Sequence, residues 1–267
     1  MQIKVCVAGA TGWVGKVLID KILDSDEFLL SGALARSAGG QDIGTAMGRK
    51  PAGVNIVVSL KEALSQPTDV LVDYTSPDTV KDRVLDAVGR GVRVVIGTSG
   101  LNASDYAEID RAAKANNVGV IAAGNFSITA ALAKHFALFA ARHLPSWEII
   151  DYAHADKVDA PSGTTLELAD ELAAVATNRI AVPIEQTHGL PEARGAAISG
   201  TQVHSVRLPS YVIAFETIFG LPDERLTIRH DAGVGALPYV GGTLLAVRSV
   251  ITTTGLVRGL DRLLFRA

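Results

Sequence analysis

Residues 3–23 read IKVCVAGATGWVGKVLIDKIL, and this stretch decides the fold. Ile3–Ala8 is a short, mostly apolar run of the kind that forms a strand buried on both faces. Trp13–Leu23 spaces its apolar side chains as one face of a helix. Between them stands Gly9-Ala10-Thr11-Gly12-Trp13-Val14-Gly15. Glycines at such a turn let the backbone approach a pyrophosphate, which then sits at the positive end of the helix. Tight turns also use glycine for steric reasons alone. The strand before the loop and the helix after it make the dinucleotide reading specific. The predicted cofactor contacts here are Gly9, Thr11, Gly12, Trp13, Val14 and Gly15. Trp13 reads equally as a side chain packed on the helix.

Outward from that loop the first 125 residues keep alternating. Strands are predicted at Phe28–Leu34, Val54–Val58, Val70–Asp73, Val92–Ile96 and Val118–Ala122, and helices at Pro77–Val88 and Ser104–Ala115. Alternation of this kind gives a doubly wound parallel sheet of Rossmann type. The pattern changes after Asn125. A helix capped by Ser127 is predicted to run to about Leu144, followed by a strand at Trp147–Ala153, a helix from Thr164 to about Ala176 and an irregular stretch over 178–200. Three runs without intervening helices, Gln202–Leu208, Val212–Phe219 and Arg225–Asp231, predict an open mixed sheet. The expected fold is therefore α/β: residues 1–125 form a dinucleotide-binding domain, 126–239 form a second α+β domain, and the helical tail within 240–267 packs back on the first.

Composition narrows the function classes. A chain of 267 residues with 48% hydrophobic and 20% charged residues is an ordinary globular one. A formal net charge of -3 does not suit nucleic-acid binding. Cys6 is the sole cysteine, so no intrachain disulfide forms, and its apolar surroundings make it a buried packing residue. No stretch approaches the ~20 apolar residues of a membrane span, and no export signal is legible, so a cytoplasmic location is expected. No His/Cys cluster has the spacing of a metal site.

The end of the second strand bears on the choice of cofactor. An acid there, about 20 residues past the glycine loop, would accept from the ribose 2′-hydroxyl of NAD. This chain reads Gly32-Ala33-Leu34-Ala35-Arg36-Ser37 instead. A guanidinium and a hydroxyl suit a 2′-phosphate, so Arg36 and Ser37 point to NADPH. NADH stays open, because Arg36 also reads as a solvated loop residue.

The segment His154-Ala155-Asp156-Lys157-Val158-Asp159-Ala160-Pro161-Ser162-Gly163-Thr164, together with Asp73-Tyr74-Thr75-Ser76-Pro77, Gly97-Thr98-Ser99-Gly100, Asn125-Phe126-Ser127, Gly195-Ala196, His204-Ser205-Val206-Arg207 and Leu226-Thr227-Ile228-Arg229-His230, resembles the dihydrodipicolinate reductase family over essentially the whole chain. The resemblance implies a nicotinamide-dependent oxidoreductase of lysine and diaminopimelate biosynthesis. Such an enzyme transfers hydride from NAD(P)H to a cyclic imine-type dicarboxylate and assembles as a homotetramer through the second sheet. It also implies site residues. Lys157 and His154 face the substrate as catalytic groups, and Ser162, Gly163 and Thr164 hold a carboxylate. Tyr74, Thr75, Gly97, Thr98, Ser99, Asn125, Phe126 and Tyr239 join the cofactor set. Backbone N–H groups and a hydroxyl at a helix start form an anion site on physical grounds as well.

Two departures stand out. The family carries adjacent histidines four and three residues before the lysine, and this chain has Ala153 and His154. Alanine cannot serve as the proton donor that the resemblance assigns to the first position. Asp156 stands where a basic residue is common. Residues 231–239 lack the family's arginine and are one residue longer, with Tyr239 in place of an aromatic. Two alternatives therefore stand beside the family reaction: a reductase of another cyclic imine or carbonyl, and a non-catalytic dinucleotide sensor. His135 and His143 read as structural, His188 as a loop residue, and His204 and His230 as strand residues on the core or substrate side. Asp73 reads either as a turn residue or as part of the site.

Overall fold

A computed structural model describes residues 2–265. These divide into two compact units. One comprises residues up to Ile128 together with those from Ala236 onward, and the other comprises Thr129–Gly235. The last two residues of the tail predicted over 240–267 lie outside the described residues.

The first unit opens with β1 (Ile3–Ala8), α1 (Trp13–Leu23), β2 (Phe28–Leu34), α2 (Ile43–Ala46), β3 (Ile56–Val57), α3 (Leu60–Ala63) and β4 (Val70–Asp73). It continues through α4 (Pro77–Gly89), β5 (Arg93–Ile96), α5 (Ala103–Ala115) and β6 (Gly119–Ala122). The chain leaves it along α6 (Ile128–Ala141). The second unit adds β7 (Trp147–Ala153), α7 (Gly163–Val175), β8 (Ala196–Ile198), β9 (Thr201–Arg207), β10 (Ile213–Leu221) and β11 (Glu224–Ala232). The first unit is completed by α8 (Leu237–Val250), β12 (Gly255–Arg258) and α9 (Asp261–Leu264).

All pairings in the first sheet are parallel, in the order β12-β6-β5-β4-β1-β2-β3. The order reverses at β1, which lies between β2 and β4, and a doubly wound sheet opens its ligand crevice at such a switch point. Val5, Val7, Val70, Val72, Val94 and Val120 are wholly buried, as strands covered on both faces require. Cys6 is buried with them. Burial, with a smaller effect of Asp73, pushes its thiol up to about 12, which makes it an inert packing group.

Three sequence expectations are corrected in this unit. The strand expected at Val54–Val58 is confined to Ile56–Val57. The tail expected as helix within 240–267 begins at Leu237, because Pro238 suits a first helical turn, and its helix ends at Val250. After it comes β12, which was not expected, pairing with β6 through Gly255 and Gly119.

The second sheet runs β11-β10-β7-β9-β8, with β7 and β9 parallel and the other pairs antiparallel. Trp147, Ile149, Val203, Phe215 and Phe219 face α6 and α7, where Ala137, Ala140, Leu168, Ala169 and Leu172 complete the core. The pleat turns the alternate residues Glu148, Ile150, Tyr152, His204, Glu216 and Ile218 to the opposite face. Strand β8 and turns at Ile184–Gln186 and Pro191–Arg194 give order to part of the stretch expected to be irregular.

Candidate active site

The glycine loop follows β1 at the switch point. Gly9 has φ +84°, and a Cβ there would lie 2.1 Å from the Tyr74 carbonyl oxygen. A Cβ on Gly15 would lie 2.1 Å from the Gly9 carbonyl oxygen. Neither position accepts a side chain, so the first turn of α1 packs directly under the loop. The surface left by these missing side chains is the close backbone approach that a pyrophosphate needs.

Trp13, Val14, Tyr74, Thr75, Gly97, Thr98 and Ser99, all expected as cofactor contacts, line one cleft of about 220 Å³ together with Pro77. The Trp13 ring meets Tyr239 edge-on at 5.5 Å. Tyr74 is half-buried, and its hydroxyl lies 2.6 Å from Thr243 Oγ1. Its ring fills the space a Gly97 side chain would need. Phe126 is 1% exposed and packs edge-on against Tyr74 at 6.2 Å, so its side chain supports the cleft from within. Asn125 Oδ1 accepts from the Ser127 N–H at 2.8 Å, shaping the turn into α6. At the end of β2, Thr11 and Ser37 hydroxyls are 3.1 Å apart. Arg36 is exposed and has no ionic partner among the described residues.

The sequence reading left the role of Asp73 open and missed Arg83. Asp73 is wholly buried and forms an ion pair with Arg83 at 2.7 Å. It also accepts from Thr75 and Thr98.

In the second unit, β7 leads into the His154–Thr164 loop. His154 Nδ1 bonds Asp156, and the Lys157 ammonium donates to Asp159. These partners hold both aspartates below the usual carboxylate range. Ala153 is wholly buried. Ser162 is also buried: its hydroxyl donates to Asp151 at 2.6 Å and its N–H to the same carboxylate at 3.0 Å. Its side chain is therefore turned into the protein. Gly163 and Thr164 begin α7, whose first turn holds no acidic residue, and their N–H groups have no acceptor among the described residues. Asp151, wholly buried, pairs with Arg207 at 2.7 Å, and the same nitrogen donates to the Asp159 carbonyl at 2.7 Å. Sequence reading did not find this pair, because its members stand 56 residues apart.

His230 lies on β11, stacked on Phe215 at 5.6 Å with Nε2 3.1 Å from Thr129 Oγ1. Burial lowers its affinity for a proton below the ordinary 6.5, against a smaller opposing effect of Asp231. The unfolded chain therefore binds the proton more readily, and the stability that neutral His230 contributes is complete above about pH 6.5 and is lost as pH falls. Melting temperature is expected to drop as pH falls below about 6.5. His230→Asn should flatten that drop. A wild-type and variant difference that stays constant over the range would contradict it.

A parallel sheet with a glycine-lined crevice at its switch point defines a Rossmann-type dinucleotide-binding protein. Among the described residues no helix is long and apolar enough to cross a membrane, and no group of three or more His, Cys, Asp or Glu could hold a metal ion. Family profiles described as dihydrodipicolinate reductase, N-terminus, and dihydrodipicolinate reductase, C-terminus, match residues 3–126 and 126–264. The 4-hydroxy-tetrahydrodipicolinate reductase of Synechococcus elongatus is 40% identical over 270 residues, covering 98% of each chain. That of Moorella thermoacetica is 40% identical over 263 residues with the same coverage. A dipicolinate-bound dihydrodipicolinate reductase from Paenisporosarcina superposes with a TM-score of 0.82 at 30% identity, covering 98% of this chain and 99% of that one. The chain belongs to the dihydrodipicolinate reductase family, and so to the NAD(P)H-dependent oxidoreductases.

Proposed function

We propose that the protein reduces 4-hydroxy-tetrahydrodipicolinate, a cyclic dicarboxylate, with NADPH as the preferred reductant. The observation that carries this reading is the start of α7. Two N–H groups, from Gly163 and Thr164, that have no acceptor among the described residues stand at a helix terminus in the same loop as Lys157. Helix N-termini bind carboxylates, and Lys157 adds the cation for an anionic substrate. Ser162 supports the site from behind, through Asp151. Arg207 offsets the Asp151 charge, which would otherwise repel an incoming carboxylate. NADPH oxidation driven by 4-hydroxy-tetrahydrodipicolinate and blocked by dipicolinate tests the reading.

A bound nicotinamide supplies the hydride. The residues of this chain bind, orient and protonate. The glycine loop would hold the pyrophosphate, and the cleft between Trp13, Thr75 and Ser99 the nicotinamide end. With alanine at 153, the proton must come from Lys157, His154 or water. Identity of 40% to relatives bearing the reductase name leaves no observation favouring another substrate or a sensor.

The NADPH preference rests on Arg36, an exposed guanidinium at the end of β2 with no ionic partner among the described residues. A charge-assisted contact to the 2′-phosphate exists only with NADPH. Arg36→Ala should therefore weaken NADPH by about tenfold or more and leave NADH nearly unchanged. Equal losses for both cofactors would remove the assignment. We further take residues 1–125 with 240–267 as the cofactor domain, and 126–239 as the substrate and oligomerisation domain of a cytoplasmic homotetramer. The second sheet's face bearing Ile150, Tyr152 and Ile218 supports the assembly.

A further inference from the structure

We propose that the Asp73–Arg83 ion pair is a positioning device for the cofactor cleft, acting through Thr75 and Thr98; this rests on the cofactor reading above. Asp73 ends β4, and one of its oxygens collects the Thr75 N–H at 3.1 Å, the Thr75 hydroxyl at 2.7 Å and the Thr98 hydroxyl at 2.7 Å. The other oxygen takes the Arg83 guanidinium at 2.7 Å. Arg83 reaches from α4 and also donates to the Thr75 hydroxyl oxygen at 2.6 Å and to Thr79 at 3.1 Å. The Thr98 hydroxyl in turn accepts from the Thr75 N–H at 2.8 Å.

A threonine hydroxyl has one hydrogen. In both residues that hydrogen is directed to Asp73, so neither side chain has one left for a ligand. Thr75 and Thr98 nevertheless line the cleft, while Asp73 and Arg83 do not. At these positions the cleft therefore presents no free hydroxyl donor. The buried carboxylate fixes where both residues stand, by tying the loop after β4 to the loop after β5. The guanidinium holds the carboxylate in place and joins the first turns of α4 to the same cluster. Charge-assisted hydrogen bonds of this geometry are the strong class. Loosening the cluster should move both walls of the cleft without removing any group that touches the cofactor.

The test is direct NADPH binding, read from quenching of Trp13 fluorescence or enhancement of nicotinamide fluorescence, alongside thermal melting and steady-state kinetics. Arg83→Gln is expected to weaken NADPH binding by about tenfold, raising the cofactor KM by more than it lowers kcat. Arg83→Lys, which keeps the charge, should recover most of the loss. If Arg83→Gln does not fold, Thr98→Val leaves the ion pair in place and decides the matter. It should weaken NADPH, and Thr98→Ser should restore it. A wild-type protein that failed to bind NADPH would overturn the cofactor reading itself. Wild-type binding that is matched within about twofold by Arg83→Gln, or by Thr98→Val where the former does not fold, would overturn the positioning role alone.

Discussion

Lys157→Ala should lower turnover of the cyclic dicarboxylate by about 10²–10⁴-fold while leaving the dissociation constant of NADPH unchanged. The expectation starts from the proton inventory. Hydride addition to the ring must be matched by a proton, and the position that the family fills with histidine is the wholly buried Ala153 at the end of β7. Two basic side chains remain in the loop that follows. His154 is bonded to Asp156, and Lys157 to Asp159. A lysine ammonium both neutralises a carboxylate and donates a proton, so its removal takes away two functions at once. A residue that only binds would leave kcat in place and raise KM, whereas a proton donor lowers kcat as well. Steady-state kinetics on Lys157→Ala therefore separate the roles, with NADPH fluorescence titration as the control. A variant that kept wild-type kcat would exclude Lys157 from proton transfer. Ala153→His is the complementary experiment. It should raise kcat if the missing donor limits the rate, although enlarging a buried alanine costs about 1–3 kcal/mol.

The second large effect concerns stability. Arg207→Met should lower unfolding free energy by about 3–5 kcal/mol, the range for breaking a buried ion pair from one side. Burial pushes the Asp151 carboxyl up, yet hydrogen bonds from Ser162, Arg207 and Thr165 outweigh it and hold the group below its ordinary 3.8. Its contribution is therefore fully present above about pH 3.8 and is lost as pH falls through the lower folded-state value. Without Arg207 the carboxylate keeps its Ser162 and Thr165 donors but loses its counter-charge, so the lower end of the range is expected. Denaturant unfolding at neutral pH measures the effect. The same variant should bind dipicolinate more weakly, because an unneutralised Asp151 lies beside the start of α7. A loss below about 1 kcal/mol would place the pair among ordinary surface contacts.

The parts of the molecule legible in the sequence are those whose signals are local. Ile3–Ala8 and Trp13–Leu23 carry their own periodicity, and the structure gives both with the expected bounds. The glycines of the loop were legible because a turn between strand and helix requires them. Short elements were not legible. Strand β12 spans four residues after a run of threonines, and only its pairing with β6 defines it. The start of α8 was hidden by Gly241 and Gly242, which weaken a helix on propensity. Gly242 is there because a Cβ would lie 2.0 Å from the Phe126 carbonyl oxygen, a tertiary reason that no local window contains. The same holds for the two buried carboxylates. Asp73 could be seen at a strand end, but nothing local marked Arg83, ten residues on in α4, as its partner. Asp151 sat unremarked within a strand, since its partner Arg207 lies on a different one. The sequence placed Ser162 among the groups facing substrate, whereas its hydroxyl is turned to Asp151.

The central claim is that this chain reduces a cyclic dicarboxylate with a nicotinamide cofactor. Its most direct test is the rate of NADPH oxidation on adding freshly generated 4-hydroxy-tetrahydrodipicolinate. A cyclic imine lacking carboxylates and NADH in place of NADPH run in parallel, and dipicolinate is titrated as competitor. The account predicts substrate-dependent oxidation that is faster with NADPH, absent with the imine lacking carboxylates and suppressed by dipicolinate. A protein that binds NADPH yet shows no oxidation with the dicarboxylate under either cofactor would contradict it.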